Sequence, residues 1–172
     1  SAGDNAGGLV GYASETNIAD SNAEGTVTGT VYVGGLVGYT DTAMIDTSYS
    51  TGTVDGRDAV GGLVGYATGS EIIDSYHTTG KVTSTENSGG EFTGTGGLVG
   101  QAVESSISGS YATSEVVGEA LVGGLVGISM GSTIENSHAT GKVTASGLEV
   151  DEEIFAGAGG LVGGAMGGMI KN

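Results

Sequence analysis

Residues 34–38 read Gly34-Gly35-Leu36-Val37-Gly38, and the same pentapeptide, GGLVG, also begins at Gly7, Gly61, Gly96, Gly123 and Gly159. Successive starts lie 27, 27, 35, 27 and 36 residues apart. A recurring period of this size marks a repeat architecture. One such repeat buries its apolar face only against its neighbours. The result is a long, regular surface, better suited to scaffolding or binding than to catalysis.

The agreement extends well beyond the pentapeptide. An isoleucine recurs at Ile18, Ile45, Ile72, Ile107 and Ile134, and a serine follows three residues later at Ser21, Ser48, Ser75, Ser110 and Ser137. Next comes Asn22, Tyr49, Tyr76, Tyr111 or His138, and a valine closes the unit at Val27, Val54, Val82, Val116 and Val143. The last copy starts at Gly159 and reaches Ile170.

Each apolar stretch is too short for a helix. Short apolar runs bounded by Gly, Ser, Thr and Asp read as strands, and the Val, Ile, Thr and Tyr around them suit a pleated surface. The 37 glycines among 172 residues argue against helices, since an interior glycine costs a helix about 1 kcal/mol relative to alanine. Helical repeats are excluded on that ground. Three strands per unit fit one coil of an all-β fold, a β-solenoid or parallel β-helix, with coils about 4.8 Å apart. Residues 1–172 then form a single repeat domain. Leu9, Leu36, Leu63, Leu98, Leu125 and Leu161 should stack as one interior row, with the isoleucines and valines forming two more.

The two long spacings are the basic unit plus insertions of 8 and 9 residues, near residues 86–95 (ENSGGEFTGT) and 148–156 (LEVDEEIFA). Both follow the valine strand, so both should leave the solenoid at the same corner, two coils apart. Insertions in repeat proteins map to loops, often on the binding face. The only phenylalanines, Phe92 and Phe155, fall here and are expected to pack back on the scaffold.

Twenty acidic residues face Arg57, Lys81, Lys142 and Lys171, a formal net charge of −16. A surface that binds nucleic-acid phosphate needs the opposite sign, so no nucleic acid is expected, nor an anionic membrane surface. No apolar run approaches the 18 or so residues of a spanning helix, so no membrane insertion is expected. There is no cysteine, hence neither disulfide nor thiolate metal site. No signal peptide is recognisable, as a mature or excised chain would show. The chain ends in mid-repeat at Ile170-Lys171-Asn172. Head-to-tail stacking of copies and excision from a longer repeat protein both account for such ends.

Catalytic machinery is not found, and no catalytic, cofactor-binding or metal-binding residues are assigned. His77 and His138 lie one position apart in the repeat frame; His138 takes the tyrosine slot and reads as a substitute ring on the wall. Five equivalent serines read as a structural row bonding local backbone, because a hydrolytic serine is a single activated hydroxyl beside a base. No GxSxG, HExxH or P-loop pattern occurs. Asp20, Asp46, Asp74 and Glu135 lie on one short segment in four repeats, and Glu149, Asp151, Glu152 and Glu153 form a cluster. These read as a solvated acidic face, suited at most to weak Ca²⁺ binding through oxygen ligands. Thr51, Thr78, Thr113 and Thr140 form a partial ladder, interrupted at Glu24. It reads as ordinary strand threonine rather than an ice-binding array. Tyr12, Tyr39 and Tyr66 align, but the next slots hold Gln101, Ile128 and Gly164, so the aromatic row reads as broken.

GGLVGYA followed by I..SYATG.V resembles the GLUG-motif repeat, over nearly the whole chain from Gly7 to Ile170. The resemblance implies a repeat region of a large bacterial or archaeal surface or secreted protein, such as an IgA-specific metallopeptidase or an adhesin-like protein. It brings no catalytic residues with it. The reading is an extracellular, cell-surface β-solenoid, structural or adhesive, used for spacing, display or filament self-assembly, and not an enzyme. The alternatives are a module binding carbohydrate or a host surface, and a non-catalytic accessory region of a secreted enzyme.

Overall fold

The computed structural model describes residues 4–85, 93–146 and 157–171. All regular structure in them is β-strand. Each full coil holds five short strands rather than the three expected. In the second coil these are Tyr32–Gly34, Val37–Asp41, Met44–Asp46, Tyr49–Thr51 and Val54–Gly56. Counting apolar stretches misses two of them. The strand Tyr49–Thr51 turns only the small polar Ser50 inward, and the leucine pentapeptide spans a bend between two strands instead of lying in one.

Every strand pairs in parallel with its equivalent one coil on, which gives five parallel sheets, numbered here one to five in order along a coil. The coils comprise residues 5–28, 32–56, 59–84, 94–118 and 121–145, with 157–171 adding a sixth strand to the first three sheets. The register follows the sequence rows. Ile18, Ile45, Ile72, Ile107, Ile134 and Ile170 pair in succession, as do Val27, Val54, Val82, Val116 and Val143. Leu36, Leu63, Leu98 and Leu125 are fully buried. The leucine row is not interior at its ends: Leu9 is 50% exposed in the first coil and Leu161 is half-buried in the last. A terminal coil has a neighbour on one side only.

The interior is divided. One apolar core lies among sheets two, three and four, around the leucines and isoleucines. A second lies between sheets one and five, built from Val33, Val54, Val60, Val82, Val116 and Val122 with Ala6. Between them the second glycine of GGLVG touches the inward residue of sheet four. A Cβ there would strike Ser50 from Gly35, His77 from Gly62, Ala112 from Gly97 and Ala139 from Gly124. The last glycine of the pentapeptide answers a second close approach. A Cβ on Gly65 or Gly100 would collide with the sheet-one backbone of the preceding coil, at Tyr32–Val33 and Ala59–Val60 respectively. Glycine is the residue that lets two backbones meet this closely.

Two of the corners turn on single left-handed residues in the full coils. Between sheets two and three they are Glu15, Thr42 and Glu104 with glycines in the other coils; between sheets three and four they are Asp20, Thr47, Asp74 and Asn136 with Gly109. Asp and Asn tolerate this conformation, whereas a β-branched residue is strained there. In the second coil the strain is offset locally: the Thr42 and Thr47 hydroxyls donate to the carboxylates of Asp41 and Asp46 at 3.1 and 3.0 Å.

Both insertions leave after sheet five and rejoin at sheet one, the expected corner. Gly56 pairs with Ser84 while Val60 pairs with Thr95, and two coils later Gly118 pairs with Ala145 while Leu121 pairs with Gly157. The first insertion is not one block, however. Thr51 pairs with Thr78 but Val54 with Val82, so one of the extra residues is Thr79, at the corner between sheets four and five. Thr79 is itself left-handed, with φ 63°. Phe92, Phe155 and the cluster Glu149, Asp151, Glu152 and Glu153 lie outside the described residues.

Candidate binding surface

The serine row is a hydrogen-bonded ladder. At each corner between sheets three and four the serine N–H has turned away from any strand carbonyl, and a buried donor without a partner is costly. The hydroxyl of the next coil supplies the acceptor. The N–H groups of Ser21, Ser48, Ser75 and Ser110 donate to Oγ of Ser48, Ser75, Ser110 and Ser137, each at 3.1 Å. Each of those hydroxyls donates to the carbonyl two residues earlier in its own coil, at 2.7–2.9 Å. A second ladder, not noticed in the sequence, runs along the corner between sheets two and three. Ala43 N–H donates to Ser70 Oγ, Ser70 N–H to Ser105 Oγ and Ser105 N–H to Ser132 Oγ. Its signal was present as Ser70, Ser105 and Ser132 at the spacing of the coils, masked because the first two coils carry Thr16 and Ala43.

Two aromatic ladders line the outside. On sheet four, Tyr49, Tyr76, Tyr111 and His138 stack with centroids 5.0, 4.8 and 5.3 Å apart and planes within 10°. His138 is thus the substitute ring that its slot implied. On sheet two, Tyr12, Tyr39 and Tyr66 stack at 5.2 and 5.1 Å. Tyr32 of sheet one leans over Tyr39 and Tyr66 at 5.4 and 5.0 Å. Burial pushes the Tyr39 phenol above its ordinary value, with neighbouring Tyr66 and Asp41 adding to it; burial also raises Tyr66, helped by Tyr32.

The sheet-two row is not simply broken. Sheets one and two fold against each other with their outer faces inward to a crease. Bulk on one wall meets a gap on the other. Ile128 lies against Gly94, and Leu121 against Gly164. Ile128 is fully buried, Gln101 is 7% exposed and Leu121 8%. Where tyrosines fill the crease it is half-open; where Gln101, Ile128 and Leu121 fill it, it is shut. A sugar stacks on the open face of a ring, and in both ladders most faces are covered by the next ring. What the ladders offer a partner is ring edges and phenol hydroxyls.

The acidic residues read as one segment occupy two different rows. Asp46 and Glu135 point outward from sheet three, while Asp20 and Asp74 are corner residues. Among the described residues no group of three or more His, Asp or Glu gathers as metal ligands would. Thr51 and Thr78 pair directly and Glu24 occupies the next place in that ladder, as read.

His77, one position from the aromatic slot in the repeat frame, faces the other way. It occupies the inward row of sheet four, next to Ser50 and Ala112, and is fully buried where the two cores meet. Ser50 Oγ donates to the Gly62 carbonyl at 2.6 Å, so the 3.1 Å contact between Ser50 Oγ and His77 Nδ1 has the imidazole N–H as donor. Nε2 then holds only a lone pair, and it has no hydrogen-bond partner. Burial lowers the imidazole pKa from 6.5 to about 4, a hydrogen bond to the Ser50 backbone opposing only part of the shift.

A family model described as the GLUG motif matches residues 2–28, 29–55, 56–83 and 118–144. The stretches it leaves unmatched contain the two insertions, yet the structure pairs their strands in register with the rest. The chain has no significant match among curated proteins or among solved structures.

Proposed function

Since the chain belongs to the family of GLUG-motif repeat proteins, we propose that it serves as a structural spacer and display segment of a secreted or cell-surface protein, without a catalytic centre of its own. The supporting observation is the placement of both insertions. They leave and rejoin the stack at one corner, two coils apart, while every other corner keeps its length or changes it by a single residue. A stiff stack that varies only at one corner is a scaffold for what that corner carries. The high negative charge keeps such a surface soluble and biases it towards cationic partners. The glycan-binding alternative has less support, because stacked rings cover one another's faces.

The test replaces residues 86–92 and 148–156 by short Gly/Ser links. The β spectrum and thermal transition are expected to persist, while surface attachment by the parent protein is lost. Attachment that survives both replacements would overturn display. Turnover of a peptide or glycan, abolished by His77→Ala or His138→Ala, would overturn the non-catalytic reading. Head-to-tail self-association belongs to the same proposal. Light scattering across NaCl and Ca²⁺ concentrations tests it, and monomers under every condition exclude it.

A further inference from the structure

His77 is the one ring in a row otherwise made of small residues. The inward positions of sheet four hold Ala23, Ser50, His77, Ala112 and Ala139. All of them press on the second glycine of a GGLVG, and Gly62 meets the imidazole itself. The ring therefore wedges the contact that separates the two cores. Its bond to Ser50, and Ser50's bond to Gly62, tie sheet four to the bend between sheets one and two.

Nothing charged faces this ring. Its neighbours in the row are Ser50 and Ala112, and across the interior stand Leu63, Val64, Ala67 and Ile72 from the bend and from sheets two and three, with Val60 and Val82 from sheets one and five. The buried polar residues other than His77 are serines, threonines and Gln101, so none is titratable near neutral pH. The charged side chains of the same coil, Glu71, Asp74 and Lys81, together with Arg57 and Asp58 just before it, are exposed or half-buried on the outside. A second imidazole N–H at Nε2 would have neither acceptor nor counter-charge.

We infer that the third coil contains an acid-sensitive release point: protonation of His77 drives the imidazole out of the junction between the two cores and loosens the solenoid there before it loosens elsewhere. The consequence is regulatory. The loosened coil ends at Ser84 and Thr85, where the first insertion begins, so mild acid would loosen that anchor while the other coils stay stacked.

The sign is fixed by linkage. The unfolded imidazole titrates near 6.5 and the folded one near 4, so the unfolded or opened state binds more protons between these values. Stability contributed by the neutral ring is complete above about pH 6.5 and is lost as pH falls towards 4. The opening equilibrium shifts roughly 10-fold per pH unit inside that window.

Hydrogen exchange of the intact chain, at pH 7 and pH 4.5 and corrected for intrinsic rates, tests this. In the wild type, amides tied to the third coil, such as Thr113 N–H bonded to the His77 carbonyl, are expected to lose about 60-fold in protection, ahead of those of the fifth coil. His77→Ala and His77→Ser, which copy Ala112 and Ser50, are expected to lose under about 5-fold. His138→Ala should behave as the wild type. Two variants guard against one that fails to fold. Equal losses in wild type and either His77 variant, or protection lost evenly along all coils, would overturn the proposal.

Discussion

The corner between sheets three and four and the corner between sheets five and one are built from the same kind of chain, yet only one of them varies freely in length. At the first, a left-handed residue is followed by a serine in all five full coils, buried in the last four, and the N–H groups of Ser21, Ser48, Ser75 and Ser110 depend on the hydroxyl of the next coil. At the second no such ladder runs from coil to coil, and backbone bonds are prominent: Arg57 and Asp58 N–H both donate to the Thr30 carbonyl, and Ala59 N–H to that of Val31. A side-chain ladder needs every coil to place one atom at one height. A backbone contact asks only that the chain come back. Both insertions fall at the corner without a coil-to-coil side-chain ladder.

That comparison can be broken by moving an insertion. Four Gly/Ser residues placed between Thr47 and Ser48 displace a hydroxyl that the Ser21 N–H needs and an N–H that needs Ser75. The expected cost exceeds about 4 kcal/mol in chemical denaturation, the range reserved for disrupted buried networks. A variant as stable as the wild type would show the ladder to be dispensable. Removing one rung is milder. Ser110→Ala leaves the buried Ser75 N–H without its acceptor, and a loss of about 1–3 kcal/mol is expected.

The variable corner also carries side-chain bonds, among them Ser146 Oγ to the Gly118 carbonyl at 3.1 Å. Ser84 and Thr95 flank the first insertion, and their hydroxyls meet at 2.6 Å inside the second core, where other coils carry Gly56 or Gly118 and Val60 or Val122. Thr95→Val alone strands the Ser84 hydroxyl and should cost about 1 kcal/mol or more. Pairing it with Ser84→Gly recreates the second coil and should recover most of that, since removing both partners is nearly neutral. A double variant no better than the single one would locate the cost elsewhere. The smallest effect is expected from four Gly/Ser residues between Arg57 and Asp58. Loop closure grows slowly with length, so under about 1 kcal/mol should be lost in a melting comparison.

Much of this was legible in residue order. The Leu, Ile and Val rows, the serine row, the aromatic slot of His138 and the corner used by both insertions all follow from counting on from GGLVG. The rest depends on three-dimensional closeness that a count does not register. Whether Gly62 marks a turn or a contact is invisible until His77 is seen against it. Ile128 reads as a gap in a tyrosine row until Gly94 is found across the crease. Asp20 and Asp74 read as part of one solvated acidic segment, although their place is set by a left-handed backbone that Asp tolerates. Five strands read as three because serine and alanine face inward in the fourth sheet, where hydrophobic pattern gives no signal.

The serine ladder also has a direction. Every rung runs from the amide of one coil to the hydroxyl of its successor, never the reverse. A coil therefore remains one bond short until the following repeat is laid upon it. For a polypeptide emerging from a ribosome amino end first, each newly made repeat seals the one before. In that order of synthesis the newest coil is the one whose serine amide still lacks its acceptor.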